Sequence, residues 1–528
     1  MKNLLILLPI LTVIGAVETA AQDVKIARNA IKKRDFEQAL EEYLLLYEKD
    51  STKLEYNYRI GVCYLNTRID KSKAVPYLER AAKMEDHDPN TLYLLGRAYH
   101  YDYRFDKAIE TFIKFKEKGK GSEANLNNVD QQIKYCENAK ELMKYPVDVE
   151  FSPLSENVNS LFRDYYPFVP EDESYLLFNS RRDERSAEKS NGKYYSNIYR
   201  SSVKNGNFQK ATPLGHKVNS KGGNEEVVGL SAEGDQAILY MDDGKYGQGD
   251  LYLCEMSKKG IPKKPKVLPD VINSDRVEIA GSITPSKDAI YFASNREGGE
   301  GGIDLYVSRK LPNGDWSPAK NLGPEINTPH NEDFPNISPD GETIYFSSKG
   351  HTSMGGYDIF KAEWDPIKKR WNNVSNIGYP INTPQDNMNF RVSESGKYGY
   401  ISAIRDKGPG NEDIYRVDFK SVAPRYSVMK GIMASSDTTK ALKRPRISVI
   451  DRSTGELFGN YVPNQETKRY VIILPPGKYL LTAEAPGFKP YEKSFEVHDK
   501  GSYRSMIPKD IKLTPKGAKN KKDKGGKK

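Results

Sequence analysis

The sequence predicts a multidomain chain of mixed α and β class: a helical solenoid, then a ring of antiparallel sheets, then a small β-sandwich. Three observations carry that prediction. Small residues recur every 34 or 35 positions between Gln22 and Tyr145, and a strand motif recurs every 53 to 55 positions between Asn197 and Asp413. A plain alternation of apolar and polar residues then fills the stretch from Tyr426 to Pro515. With 528 residues the chain is too long for a single core, so several domains are expected.

The first 21 residues read as a secretory signal peptide: Lys2, an apolar run from Leu4 to Val17, and the small residues Thr19 and Ala21 before a cut near Gln22. The run is shorter than the roughly 20 apolar residues a spanning helix needs, and it carries Pro9 and Gly15. The first cysteine is Cys63, so no lipid-modified cysteine is expected at the cut, and the exported chain is expected to be periplasmic and not membrane-spanning. Cys63, Cys136 and Cys254 are too few and scattered for a disulfide framework, and no CxxC pair offers zinc a site. They are expected to be buried free thiols, with a Cys63–Cys136 bridge as the alternative. The net charge of +9 is concentrated in the tail from Lys516 to Lys528, which holds seven lysines and one aspartate. Elsewhere no basic stripe with interleaved aromatics appears, which excludes a nucleic-acid partner.

In the 22–145 segment, Ala27, Gly61 and Gly96 form one series of small residues and Ala39, Ala74 and Ala108 another. A small residue lets two helices cross closely, so the period implies stacked helical hairpins. The stretch LYLLGRAYHYDYRFDKAIETFIKF resembles the tetratricopeptide repeat through Leu95, Gly96, Tyr99, Ala108 and Phe112, and the preceding repeat through Gly61, Tyr64, Ala74 and Leu78. Leu126–Met143 reads as the closing helix. The resemblance implies a concave partner-binding face at Tyr58, Val62, Leu65, Asn90, Tyr93, Arg97 and His100. The alternative is that the repeats form only a spacer or a docking plate for the next domain.

The 146–421 segment repeats two markers. An Asp or Asn opens a strand at Asn197, Asp250, Asp304, Asp358 and Asp413, and an Asn followed by Ser or Thr falls at Asn219, Asn273, Asn327 and Asn382. Five units, each with room for four short strands, predict a five-bladed β-propeller. NISPDGETIYFSSK followed by GGYDIFK resembles the PD40, TolB-like or WD40-like class of propeller. The last unit stops soon after Phe419, whereas Phe151–Ser160 reads as an outer strand with no blade before it, so the first strand is expected to complete the last blade. The repeated carboxylates Asp250, Asp304, Asp358 and Asp413 have two readings. They form either a rim able to hold a cation or basic ligand, or structural acceptors for backbone N–H groups of the preceding glycine-rich loops. The structural reading is favoured, because a feature of every blade usually belongs to the blade and Asn197 keeps the hydrogen bonding without the charge.

The 422–515 segment reads as an antiparallel sandwich. It resembles the carboxypeptidase regulatory-like domain through Gly431, Asp451–Glu456, Leu474–Leu481 and Pro486–Phe488. Residues 516–528 read as a disordered, charged tail with at most weak contact to an anionic surface.

No GxSxG elbow, HExxH, P-loop or GxGxxG motif occurs, and the six histidines show no ligand spacing. The expectation is therefore a chain with no enzymatic activity, catalytic residue, metal or cofactor. The order of modules resembles the PorE-like family of Bacteroidota periplasmic proteins associated with type IX secretion, without the OmpA-type domain that normally follows. The resemblance implies a scaffold or adaptor whose partners are outer-membrane or other envelope proteins of a secretion or gliding complex. The alternative is a binding or sensing protein whose propeller holds a glycan or peptide.

Overall fold

The computed structural model of the chain describes residues 22–67, 69–182, 194–242, 249–393, 398–405, 408–410, 412–420, 427–475, 477–497 and 506–517. The expected signal segment and almost all of the lysine tail lie outside the described residues. Two compact units result: a first up to Lys420 and a second beyond it.

The first unit begins with helices α1 (22–32), α2 (Phe36–Lys49), α3 (Leu54–Asn66), α4 (Val75–Ala82), α5 (Thr91–Tyr101), α6 (Phe105–Lys118) and α7 (Glu123–Leu142). Their ends follow from local chemistry. The Asp35 side chain accepts the Gln38 N–H at the start of α2, Ser122 does the same for Asn125 at α7, and Gly119 ends α6 at φ 58°. The recurring glycines have a steric cause. A Cβ on Gly61 would lie 2.4 Å from Leu78 Cγ, and one on Gly96 would lie 2.6 Å from the Phe112 ring. Each glycine thus admits the bulky residue of the following helix into contact with its backbone, and the period of the sequence is the period of these crossings. Cys63 and Cys136 are buried in this helical core and Cys254 among the sheets, all three unpaired.

Five antiparallel sheets follow, in a propeller-like array. Their first strands are Asp164–Phe168, Glu225–Leu230, Glu278–Ile283, Glu332–Ile337 and Arg391–Val392. The first strand of the third sheet touches those of the second and fourth, and Asp164–Phe168 touches the second sheet and the Tyr398–Ala403 strand of the fifth. Asn336 Nδ2 donates to Asn389 Oδ1 at 2.8 Å, joining the fourth sheet to the segment that enters the fifth. The fifth sheet is completed by the N-terminal strand Val149–Pro153, which runs antiparallel to Asp413–Phe419 with Phe151 opposite Val417. The edge that a chain end would otherwise leave open is thereby paired, as the sequence led us to expect. The first strands of the first four sheets carry register shifts. Two of these put Tyr166 and Phe334, at φ 52° and 46°, in ring contact with centroids 4.3 Å apart. Because these residues belong to sheets that are not consecutive, two aromatic side chains meet across the array.

The second unit holds two sheets. One pairs Ser427–Ser435 with Arg469–Leu474, Met506–Pro508 and Ile511–Leu513. The other runs Leu457–Tyr461, Arg446–Asp451, Gly477–Glu484, Tyr491–Val497. They share a core that includes Met433, Val449, Ile472 and Leu481. Among the described residues no helix is long and apolar enough to cross a membrane.

Candidate functional site

The two repeated markers of the sheet array meet each other. Asn327 Oδ1 accepts the N–H of Leu305 at 2.8 Å while its Nδ2 donates to the Leu305 carbonyl at 3.0 Å, so one amide pairs with the strand as a neighbouring backbone would. The same exchange joins Asn219 to Ile198, Asn273 to Leu251 and Asn382 to Ile359. Asn159 makes it with Ile414, fastening the start of the array to its last sheet. The carboxylates stand one residue earlier on those strands. Asp304 accepts the Gly301 N–H, Asp358 the Met354 N–H at 2.9 Å and Asp413 the Gly410 N–H at 2.9 Å, each from its own glycine-rich loop. Burial raises the Asp304 carboxyl and pushes Asp358 up to about 8 and Asp413 up to about 6. Asp250 is exposed, and the loop before it lies outside the described residues. Among the described residues no group of three His, Cys, Asp or Glu side chains converges as metal ligands would. Three of the four carboxylates thus accept backbone N–H groups of their own loops.

The residues expected on a concave binding face are divided. Tyr58 and Val62 of α3 are half-buried, and Leu65 lies in the helical core. Asn90 is used internally, its Oδ1 accepting the Ser122 N–H and the Asn125 side chain, both at 2.8 Å. Tyr93 packs between Phe112 and Phe115. His100 is buried, and its Nε2 lies 2.8 Å from the Met354 carbonyl in the fourth sheet's glycine-rich loop. Burial lowers its pKa to about 4, outweighing the Met354 carbonyl contact, which works to raise it, and Arg97 adds to the lowering. At His100, then, α5 meets the sheet array, as in the alternative of a docking plate for the next domain. Two α7 side chains reach the same loop, Tyr135 OH donating to Lys349 O at 2.6 Å and Asn138 Nδ2 to Ser353 O at 2.8 Å. Met354, fully buried, enters the helical core.

Beside this contact, within the same compact unit, a cleft of about 690 Å³ remains open. Its helical wall is formed at the ends of α3 and α5 by Asp70, Lys71, Tyr101 and Tyr103, and its other wall by the fifth sheet's loops with Gln385, Asp386 and Arg405. Lys71 sits over the Tyr101 ring at 4.8 Å. Burial works to raise the Tyr101 phenol, but the cations Arg97 and Lys71 outweigh it and leave the group below the ordinary tyrosine value. Arg405 lies over the Phe151 ring at 3.5 Å and donates from one terminal nitrogen to Pro380 O at 2.6 Å, and burial lowers its pKa. Of the residues expected from the sequence only Leu65 lines this cleft. The others carry no periodic signal, because the cleft arises from docking two arrays whose patterns are independent.

No protein-family model and no curated protein matches the chain. Solved structures do. The β-1,2-mannobiose phosphorylase of Listeria innocua is 10% identical over 51% of this chain and 92% of its own, with a TM-score of 0.33. The endo-arabinase of Bacteroides thetaiotaomicron is 13% identical over 52% and 98%, at 0.34. A puromycin hydrolase mutant is 13% identical over 67% and 55%, at 0.27. The expectation that the chain is not an enzyme is corrected here, because the structures it matches include a phosphorylase, an arabinase and a glycosyl hydrolase of Bacteroides ovatus. Lack of a familiar motif does not exclude catalysis on such an arrangement of sheets. At these identities and scores the likenesses carry no activity over to this chain.

Proposed function

We propose that the chain is an exported periplasmic scaffold or adaptor of the cell envelope, associated with the outer membrane and with type IX secretion or gliding machinery in the manner of the PorE-like family. In this reading the helices are a tetratricopeptide solenoid, the sheet array is a five-bladed propeller of the PD40 class, and the second unit is a carboxypeptidase regulatory-like sandwich. The observation that supports it is the union of the first two modules. Three side chains from α5 and α7 hydrogen-bond the 349–354 loop, and Met354 is buried among the helices. A module whose inner face holds its neighbour presents fixed outer surfaces, which suits bridging of envelope components better than gripping a free peptide. Affinity capture of the full-length chain from cross-linked envelopes is expected to retain outer-membrane or secretion components. Recovery of the free monomer alone overturns the reading.

A further inference from the structure

We infer that the cleft between the ends of α3 and α5 and the loops of the fifth sheet binds an acidic saccharide, a sugar chain of the uronate class. This goes beyond the adaptor reading and does not depend on it. The walls favour a hydroxyl-rich ligand. Carboxylates such as Asp70 and Asp386 accept hydroxyl protons, and the Gln385 amide both gives and takes hydrogen bonds. A peptide would bring apolar side chains, and the cleft has little to seat them, since Leu65 and Ala403 in its lining are only 2% and 7% exposed. Tyr103 offers what a sugar ring needs instead, a ring 42% exposed and braced edge-on by Phe105 and Tyr379.

The charges set the sign of the ligand. Each acid in the cleft already has a partner within the fold: Asp70 accepts from Ser72, Asp102 from Arg104, Asp386 from the Tyr357 N–H and Glu412 from Arg163. Among the described residues Lys71 lies over the Tyr101 ring, Arg405 lies over the Phe151 ring and donates to the Pro380 carbonyl, neither is in an ion pair with a carboxylate, and Arg405 Nε is buried without a hydrogen bond. A guanidinium without a carboxylate partner that lines a polar cleft beside an ammonium is a receptor for a planar carboxylate.

Calorimetric titration of the full-length chain with tetragalacturonate, and in parallel with neutral galactotetraose, tests this. Saturable binding of the uronate is expected, about tenfold or more tighter than the neutral sugar. Lys71→Ala should weaken it several-fold with an unchanged melting temperature, and Arg405→Gln should weaken it further. Should Arg405→Gln fail to fold, Lys71→Ala and Tyr103→Ala decide the matter. The proposal is overturned if the uronate does not bind, if both sugars bind alike, if neither Lys71→Ala nor Tyr103→Ala weakens binding, or if a peptide with a free C-terminal carboxylate binds in preference.

Discussion

Asn382 shows how much of this fold rests on single amides. Its Oδ1 accepts the Ile359 N–H, and its Nδ2 donates to the Ile359 carbonyl and to Asn376 Oδ1, all three at 2.8 Å in a fully buried place. Asn382→Ala leaves those groups without partners and should cost about 2–3 kcal/mol in urea unfolding. Asn382→Asp should cost a similar amount, because a carboxylate cannot donate; an unchanged midpoint in both would refute the account. The marker was legible in the sequence as a repeat, but its partner two dozen residues away was not, since no local pattern reports a pairing across strands. Asp358 gives a prediction of opposite sign. Both of its hydrogen bonds, from Met354 N–H and Asn376 Nδ2, fall on Oδ2, and Oδ1 is buried without a partner. Burial moves this carboxyl from its ordinary 3.8 to about 8. Between those values the folded chain holds a proton that the unfolded chain has released, so the group's contribution to stability shrinks as pH rises toward 8. His100, lowered from 6.5 to about 4, acts oppositely, its contribution shrinking as pH falls through that range. Above pH 6.5 the carboxyl acts without that counterweight. Melting temperature should therefore fall between pH 6.5 and 8.5. Asp358→Asn, which puts a neutral amide where Asn197 already stands in the first sheet, should flatten the fall and gain about 1 kcal/mol or more at pH 8.5. An unchanged slope in Asp358→Asn counts against it.

At the scale of elements, two opposing effects meet at Gly96. Alanine in a helix interior is worth roughly 0.5–1 kcal/mol over glycine, yet its Cβ would lie 2.6 Å from the Phe112 ring, which is itself fully buried and has no room to retreat. Overpacking of this kind costs typically 1–3 kcal/mol, so Gly96→Ala should be a net loss in thermal or denaturant unfolding, and a gain would show the crossing to be looser than described. Here the sequence was informative, because a small residue at a fixed period has only one economical cause. The closing strand was legible for a different reason: an outer strand without a sheet at one end of the array matched a sheet lacking its outer strand at the other. Val149–Pro153 and Asn159 now account for that edge through the ladder to Asp413–Phe419 and the amide pairing with Ile414. A truncated chain beginning at residue 161 should unfold about 5 °C or more below one beginning at residue 146, followed by circular dichroism. Equal melting of the two would remove the strand's role in closure.

At the scale of the whole molecule, the helical and sheet arrays form one compact unit although the repeat pattern changes near Tyr145. Repeat periods report how a module stacks on itself, and a docking contact between modules leaves no period behind. That is why neither the 349–354 contact nor the cleft beside it could be read from the sequence, whereas the change of pattern near Val422 falls beside the limit of the first unit at Lys420. The junction between the arrays is short. Tyr145 is 82% exposed, and two residues later the Val147 N–H donates to the Tyr379 carbonyl at 2.7 Å. Cleavage there requires the segment to lift from Tyr379, which the docked helices oppose by holding the same face. Met354→Lys places a charge in the helical core, where a lone cation is strongly disfavoured, and should release the helices while leaving each array's own core intact. Limited proteolysis should then cut near Tyr145 much faster in Met354→Lys than in the unaltered chain and yield a stable fragment of the sheet array. In calorimetry the single transition of the unaltered first unit should divide in two. Equal cutting rates in both proteins would mean that the loop does not hold the arrays together.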